Sequence, residues 1–140
     1  ELFDLIEKAK SLVQQKTAPT LSRGDGAGSA SDSAILSIAY SKLGVPYRWA
    51  ATGPNSFDCS GFTQYVYRQA GISIGRDTDA QMGNGTPVSY SNLQVGDLVF
   101  TSSHHVGIYV GGGQMIHAPQ TGDVVKVSNI WSFYTARRVK

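Results

Sequence analysis

The spacing of apolar residues divides the chain into an N-terminal helix, a linker and a domain. Residues 1–16 carry apolar side chains at helical intervals with polar ones between them, a pattern typical of an amphipathic helix. Residues 17–31 are rich in Gly, Ser, Ala and Thr, and this composition predicts a flexible linker. We therefore expect one folded domain over residues 32–140, with the N-terminal helix docked on it or on a neighbouring chain or module.

Three helices are predicted in the first half of this domain. Ser31 or Asp32 can cap a helix over residues 32–43. Apolar residues at helical spacing predict a second helix over 59–70, and a short third helix is expected over 78–82.

The second half of the domain has the pattern of short strands broken by Gly or Asn. The predicted strands are residues 98–100, 105–110, 114–118, 124–127 and 133–139. Helices come first and closely connected strands follow, an order that favours an α+β fold with an antiparallel sheet.

Composition narrows the functional classes. The net charge of +2 is too small to indicate a nucleic-acid partner. No apolar run approaches the ~18 residues that a membrane span needs. The chain opens on Glu1, without a visible signal peptide, as a fragment or a processed form would.

Cys59 is the one cysteine of the chain, and it stands where a loop gives way to the second predicted helix. A helix N-terminus carries partial positive charge and unpaired N–H groups, which favour a thiolate and can bind an oxyanion. Most free cysteines, however, are small buried apolar residues. Position alone leaves both interpretations open.

Two of the three histidines can share one face of a hairpin. His104 and His105 point to opposite faces of their strand, because successive strand residues alternate. If the glycines 111–113 form the loop, Val110 pairs with Gln114, and His117 lies diagonally opposite His105 on the same face.

A thiol, a base and a group that orients the base are the components of covalent catalysis. Cys59 would attack, His105 would take and return protons, and His117 would hold the ring of His105. Each histidine alone could equally be an ordinary surface or core residue. A zinc site built from Cys59, His105 and His117 is a further alternative, but Cys-x-x-Cys spacing is absent, and no metal or cofactor is expected. No role is assigned to His104.

Five short blocks resemble the NlpC/P60 family of bacterial cell-wall cysteine peptidases, in the order and spacing of that family. They are residues 44–49, 57–62, 96–100, 105–109 and 116–119. The resemblance covers about residues 32–139. It implies a papain-like α+β fold, with the catalytic cysteine at a helix N-terminus packed on an antiparallel β-sheet. It also implies a secreted or cell-wall-associated enzyme that cleaves the stem peptide of peptidoglycan between D-γ-glutamate and a diamino acid.

Carried over by position, the resemblance makes Cys59 the nucleophile, His105 the base and His117 the third polar member. It places Tyr47, Asp58 and Ser60 near the substrate.

The resemblance leaves some points open. In members that need a free N-terminal L-alanine, an acidic residue such as Asp58 holds its ammonium group, although Asp58 could instead cap the helix. Ala50 and Ala51 stand where the family usually has two glycines. A non-catalytic cell-wall binding module on the same fold and a related cysteine amidase or acyltransferase remain alternative functions.

Overall fold

The computed structural model describes residues 32–139. The predicted helix 1–16 and linker 17–31 lie outside the described residues, as does Lys140.

The helices begin where capping residues predict and end at glycine-rich turns. They are α1 (Asp32–Tyr40), α2 (Cys59–Gln69) and α3 (Thr78–Met82), and a 3₁₀ turn spans Tyr90–Asn92. Asp58 and Asp77 cap α2 and α3 through their carboxylates, which accept from the backbone of the first turn. Helix α1 ends three residues before the predicted boundary, because residues 41–44 form turns.

Six antiparallel strands form one sheet in the order β1-β6-β2-β3-β4-β5. The strands are β1 (Thr86–Pro87), β2 (Leu98–Ser102), β3 (His105–Gly111), β4 (Gln114–His117), β5 (Lys126–Asn129) and β6 (Thr135–Arg138). With three helices packed around it, this sheet confirms the expected α+β fold.

Two strand predictions were wrong in placement. The sequence pattern missed β1, two residues that pair with Arg137 and Arg138. Strand β5 begins two residues later than predicted, because Val124 bridges to Pro46 and the backbone of Val125 bonds to residues 44 and 45. These two valines therefore hold the loop that precedes Cys59, and β5 pairs with β4 from Lys126 onward.

Helix α2 packs its apolar face on the sheet. Phe62, Val66 and Tyr67 are fully buried on the helix, and the facing strand residues Val106 and Ile108 are buried as well. Burying one such side chain stabilises the fold by about 2 kcal/mol. The start of α2, with Cys59, is thereby held close to the start of β3.

The β3–β4 hairpin has the predicted register for an unexpected reason. Ile108 pairs with Ile116, but the strand irregularity before Gly111 makes Gly111, and not Val110, the partner of Gln114. The loop is therefore a two-residue glycine turn. Because the irregularity adds one residue to β3, the rest of the hairpin keeps the predicted parity.

A buried ion pair ties the last strand to the loop before β2. Arg138 contacts both carboxylate oxygens of Asp97, at 2.9 Å and 2.8 Å. The Asp97 side chain is completely buried, and it also accepts from the backbone N–H of Gln94. Such a pair is costly to break, because one charge would be left buried without its partner.

Candidate active site

Helix α2 starts at Cys59 because Asp58 caps it. The Asp58 Oδ1 accepts from the backbone N–H of Gly61 at 2.6 Å, so the alternative interpretation of Asp58 as a helix cap is confirmed. Arg76 donates to the same carboxylate at 2.9 Å, and it also donates to the Ser60 hydroxyl at 3.1 Å. Asp58, Ser60 and Arg76 thus form one charged network beside the thiol.

Gly61 allows the close approach of α2 to the preceding loop. A Cβ at this position would clash with the carbonyl oxygen of Ala51, whose loop forms one side of the helix start. The Ala51 backbone occupies the space next to Gly61, so glycine is needed at this position for packing.

The Cys59 thiol points toward the first residues of the sheet. Its Sγ donates to the carbonyl oxygen of His104 at 3.7 Å, one residue before His105. Among the hydrogen bonds of residues 32–139, none joins Cys59 to the His105 ring. The thiol therefore lies next to the residue that precedes His105, without a hydrogen bond to the His105 ring. In many active sites such hydrogen bonds tighten only when the substrate binds.

Burial raises the pKa of the Cys59 thiol. The charge of Asp58 also raises this pKa. Hydrogen bonds from the Thr78 side chain and from the backbone of Val106 and Ser60 lower it, but their effect is smaller than that of burial. A helix N-terminus favours a thiolate, but burial outweighs this effect on the pKa of Cys59. The group at rest is a neutral thiol at pH 7.

His105 and His117 meet, as the hairpin parity predicts. The Nε2 of His105 lies 2.8 Å from the Nδ1 of His117, with the two rings nearly perpendicular at 82°. The Nε2 of His117 in turn lies 2.9 Å from the hydroxyl of Ser128. When the His105 Nε2 carries a proton and donates it to His117, the His105 Nδ1 is free to act as a base.

Both imidazoles are neutral at pH 7. Burial lowers the pKa of His105 to about 4. Burial also lowers the pKa of His117 to about 3, helped by the charges of His105 and Lys126 and opposed by Asp123. Both imidazoles and the Cys59 thiol are therefore neutral at pH 7.

A cleft of about 520 Å³ opens over the start of α2. Its walls include four of the predicted site residues: Tyr47, Asp58, Cys59 and Ser60. His104 also lines it, although no role was predicted for that residue. Burial raises the pKa of the Tyr47 hydroxyl, and the nearby charges of Cys59 and Asp58 add to the effect, so Tyr47 is a neutral hydrogen-bonding group here.

This geometry agrees with what comparison with known proteins shows. Residues 44–140 match the NlpC/P60 family. The chain belongs to the NlpC/P60 family.

Relatives and solved structures support the assignment. The chain is 48% identical over 108 residues to a probable endopeptidase of Corynebacterium glutamicum (strain R), covering 76% of this chain and 47% of that protein. It is 50% identical over 106 residues to the probable endopeptidase p60 of Listeria grayi, covering 73% of this chain and 20% of that one. The chain thus spans half or less of the length of these curated relatives.

The fold is that of solved NlpC/P60 domains. The crystal structure of the NlpC/p60 domain of the peptidoglycan hydrolase SagA superimposes with a TM-score of 0.74 at 44% identity, covering 78% of this chain and 99% of that one. The peptidoglycan hydrolase RipB of Mycobacterium tuberculosis gives a TM-score of 0.70 at 28% identity, covering 77% and 64%. The papain-like α+β fold that the resemblance implied is thereby confirmed.

Three further residues complete the site of this NlpC/P60 domain, and the sequence pattern assigned none of them. Arg76 pairs with Asp58, Ser128 contacts His117, and Trp131 stacks against both imidazoles. Ser128 could have been found from the sheet register. Lys126 pairs with His117, so Ser128 lies two residues further on the same face, but the predicted strand ended at residue 127. Arg76 and Trp131 reach the site from loops that no periodicity describes.

Within residues 32–139, no cluster of three or more His, Cys, Asp or Glu side chains is arranged to hold a metal ion. In the same part of the chain, no helix has the length and apolar character that crossing a membrane requires.

Proposed function

We propose that this chain is a cysteine peptidase that hydrolyses the stem peptide of peptidoglycan at the bond between D-γ-glutamate and the diamino acid. The hydrogen-bonded pair of His105 and His117, one residue from the carbonyl that holds the Cys59 thiol, is the observation that supports this most directly. Family membership and the relatives named as endopeptidases and peptidoglycan hydrolases agree with it. Action on this substrate places the enzyme outside the cell or in the cell wall.

The first half of the reaction forms a thioester. As the Cys59 sulfur attacks the carbonyl carbon, the Nδ1 of His105 takes the thiol proton, and the negative charge moves to the carbonyl oxygen. Backbone N–H groups at the start of α2 are suited to stabilise that oxygen. The tetrahedral intermediate collapses, the C–N bond breaks, and His105 gives its proton to the leaving amine of the diamino acid.

The second half of the reaction releases the acid. As a water oxygen attacks the thioester carbonyl, His105 takes a proton from that water, and the C–S bond then breaks. The proton returns to the sulfur, which restores the neutral thiol. Because burial disfavours both the thiolate and the imidazolium, proton transfer accompanies each attack and no ion pair exists beforehand.

The charged network in the cleft is the proposed recognition site for the ammonium group of a free N-terminal L-alanine on the stem peptide. Asp58 Oδ1 already accepts from Gly61 and Arg76, whereas Oδ2 accepts from Arg76 and has capacity for one more donor. A substrate ammonium group at Oδ2 would make a charge-assisted hydrogen bond. The Tyr47 hydroxyl and Ser60 would then contact the adjoining peptide.

Purified muropeptides of known stem composition test this proposal. The wild type should release fragments whose masses correspond to cleavage after γ-glutamate, and Cys59→Ala should release none. Gln69→Ala, an exposed change at the opposite end of α2, should cleave like the wild type. Equal cleavage by the wild type and Cys59→Ala would refute the nucleophile.

The masses of the products separate the remaining functions. Cleavage at a different amide bond would indicate an amidase, and transfer to an added amine would indicate an acyltransferase. Binding of muropeptides without turnover under reducing conditions would indicate a binding module. Each of these results would overturn the proposed function.

A further inference from the structure

Trp131 lies against the two imidazoles of the site. Its ring centroid is 5.7 Å from that of His105, with an angle of 34° between the planes, and 5.5 Å from that of His117, at 48°. The residue follows β5 by two positions, and Ser128, the hydrogen-bond partner of His117, is on the same strand. One short stretch of chain thus contacts the histidine pair from two sides.

Core packing does not account for the position of this indole. Trp131 is 60% exposed, whereas the core residues of this domain are nearly all fully buried. His117, by contrast, is only 1% exposed, although its strand is close to the sheet edge. The indole therefore covers the two imidazoles, although most of its own surface is exposed to solvent.

We propose that Trp131 is a positioning residue for the reaction: its indole covers one side of the hydrogen bond between His105 and His117 and keeps water from the two rings. Only the predicted effect of Trp131 on the reaction rate rests on the proposed function. The structural part, exclusion of water from the pair, can be tested in an enzyme that shows no turnover.

The sign of the effect on the histidines distinguishes two physical roles of the indole. If Trp131 excludes water, its removal admits solvent that stabilises imidazolium, and the pKa values of both histidines rise. If the indole face instead stabilises imidazolium by a cation–π contact, its removal lowers those pKa values. Because burial is the largest cause of both depressed pKa values, we expect the first result.

The other charged groups near the pair do not change in this experiment. Lys126 and Asp123 act on His117 with opposite signs, and they are themselves paired at 2.9 Å. Cys59 lies near the start of β3 on the helix side. A change in the histidine pKa values on substitution of Trp131 therefore reports on the indole.

Histidine titrations by NMR give the direct test. In Trp131→Ala, the pKa values of His105 and His117 should rise by about one unit or more toward that of free histidine. In Trp131→Leu, which keeps an apolar cover without an aromatic face, they should stay near the wild-type values. Tyr134→Ala is the matched control, because Tyr134 is equally exposed at 59% and is three residues further along the chain.

Kinetics supply a second readout. The acid limb of kcat/KM should move to higher pH in Trp131→Ala, and kcat should fall about tenfold with KM little changed. Unchanged or lowered histidine pKa values in Trp131→Ala would overturn the inference. If the wild type proves inactive while the titrations behave as expected, the proposed function fails and the role of Trp131 in excluding water stands.

Discussion

The buried histidine pair should make the domain lose stability in mild acid. In the unfolded chain a histidine has a pKa near 6.5, whereas in the folded domain the pKa is about 4 for His105 and about 3 for His117. Below pH 6.5 the unfolded state therefore binds protons that the folded state does not. The full stability is present above pH 6.5 and falls as the pH drops toward 4.

The magnitude follows from these pKa values. For each histidine that stays neutral in the folded domain, the free energy of unfolding decreases by about 1.4 kcal/mol for every unit by which the pH falls below 6.5. Between pH 6.5 and pH 4, His105 alone accounts for about 3 kcal/mol, and His117 adds a similar amount. A domain of this size has a total stability of about 5–15 kcal/mol, so the pair can bring it close to unfolding near pH 4.

Urea denaturation followed by circular dichroism from pH 7.5 to pH 4.5 measures this loss. His117→Asn should be less stable than the wild type at pH 7.5. As the pH falls, however, its free energy of unfolding should decrease less steeply, with a slope smaller than that of the wild type by about 1.4 kcal/mol per pH unit. Carboxylates also lose their stabilising contacts in acid, so the comparison of slopes isolates the histidine.

The control for this experiment is an exposed change that keeps all three histidines. Gln69→Ala, at the far end of α2, should retain the wild-type slope. Parallel curves for the wild type and His117→Asn would show that His117 is not held neutral by burial, and the reasoning would be refuted.

Three further outcomes are expected. The acid limb of kcat/KM on a muropeptide should lie near pH 4, where His105 gains its proton, and a limb near pH 6.5 would contradict the neutral buried base. Arg138→Met should lower the free energy of unfolding by about 3–5 kcal/mol in urea titrations, because it removes the guanidinium that pairs with the fully buried Asp97 carboxylate, whereas the exposed change Arg68→Met should have little effect. Ala50→Gly should raise the stability by about 0.5–1 kcal/mol, since Ala50 has a φ of 63° that glycine adopts without strain, and a lower melting temperature would count against this.

Local signals predicted the helices and the hairpin well. The caps and the terminating glycines act within a few residues of the helix ends, so the start of α2 at Cys59 follows from the sequence itself. The His105–His117 contact also follows from strand alternation, although the glycine loop differs in detail. Strands β1 and β5 were misjudged because their limits depend on partners far away in the chain.

The electrostatics of the site depend on tertiary structure that no local pattern contains. A helix N-terminus predicts a low thiol pKa, but the burial of Cys59 between α2 and the sheet reverses the direction. Trp131 and Arg76 likewise reach the site only through the folded arrangement of loops. The sequence therefore predicts which groups react, while their protonation state and their supporting residues require the structure.

The contacts of the Asp58 carboxylate limit how the sequence of this chain can diverge. The same carboxylate caps the helix that carries the proposed nucleophile, binds Arg76 and lines the cleft at the proposed ammonium subsite. A substitution of Asp58 that changes how the ammonium group of the substrate is recognised therefore also weakens the cap at the start of α2. Asparagine could keep the cap but would weaken the ion pair, and a basic residue would lose both. New specificities in descendants of this chain are thus expected to arise at the rim of the cleft, around Trp49 and Ala50, while Asp58 stays unchanged.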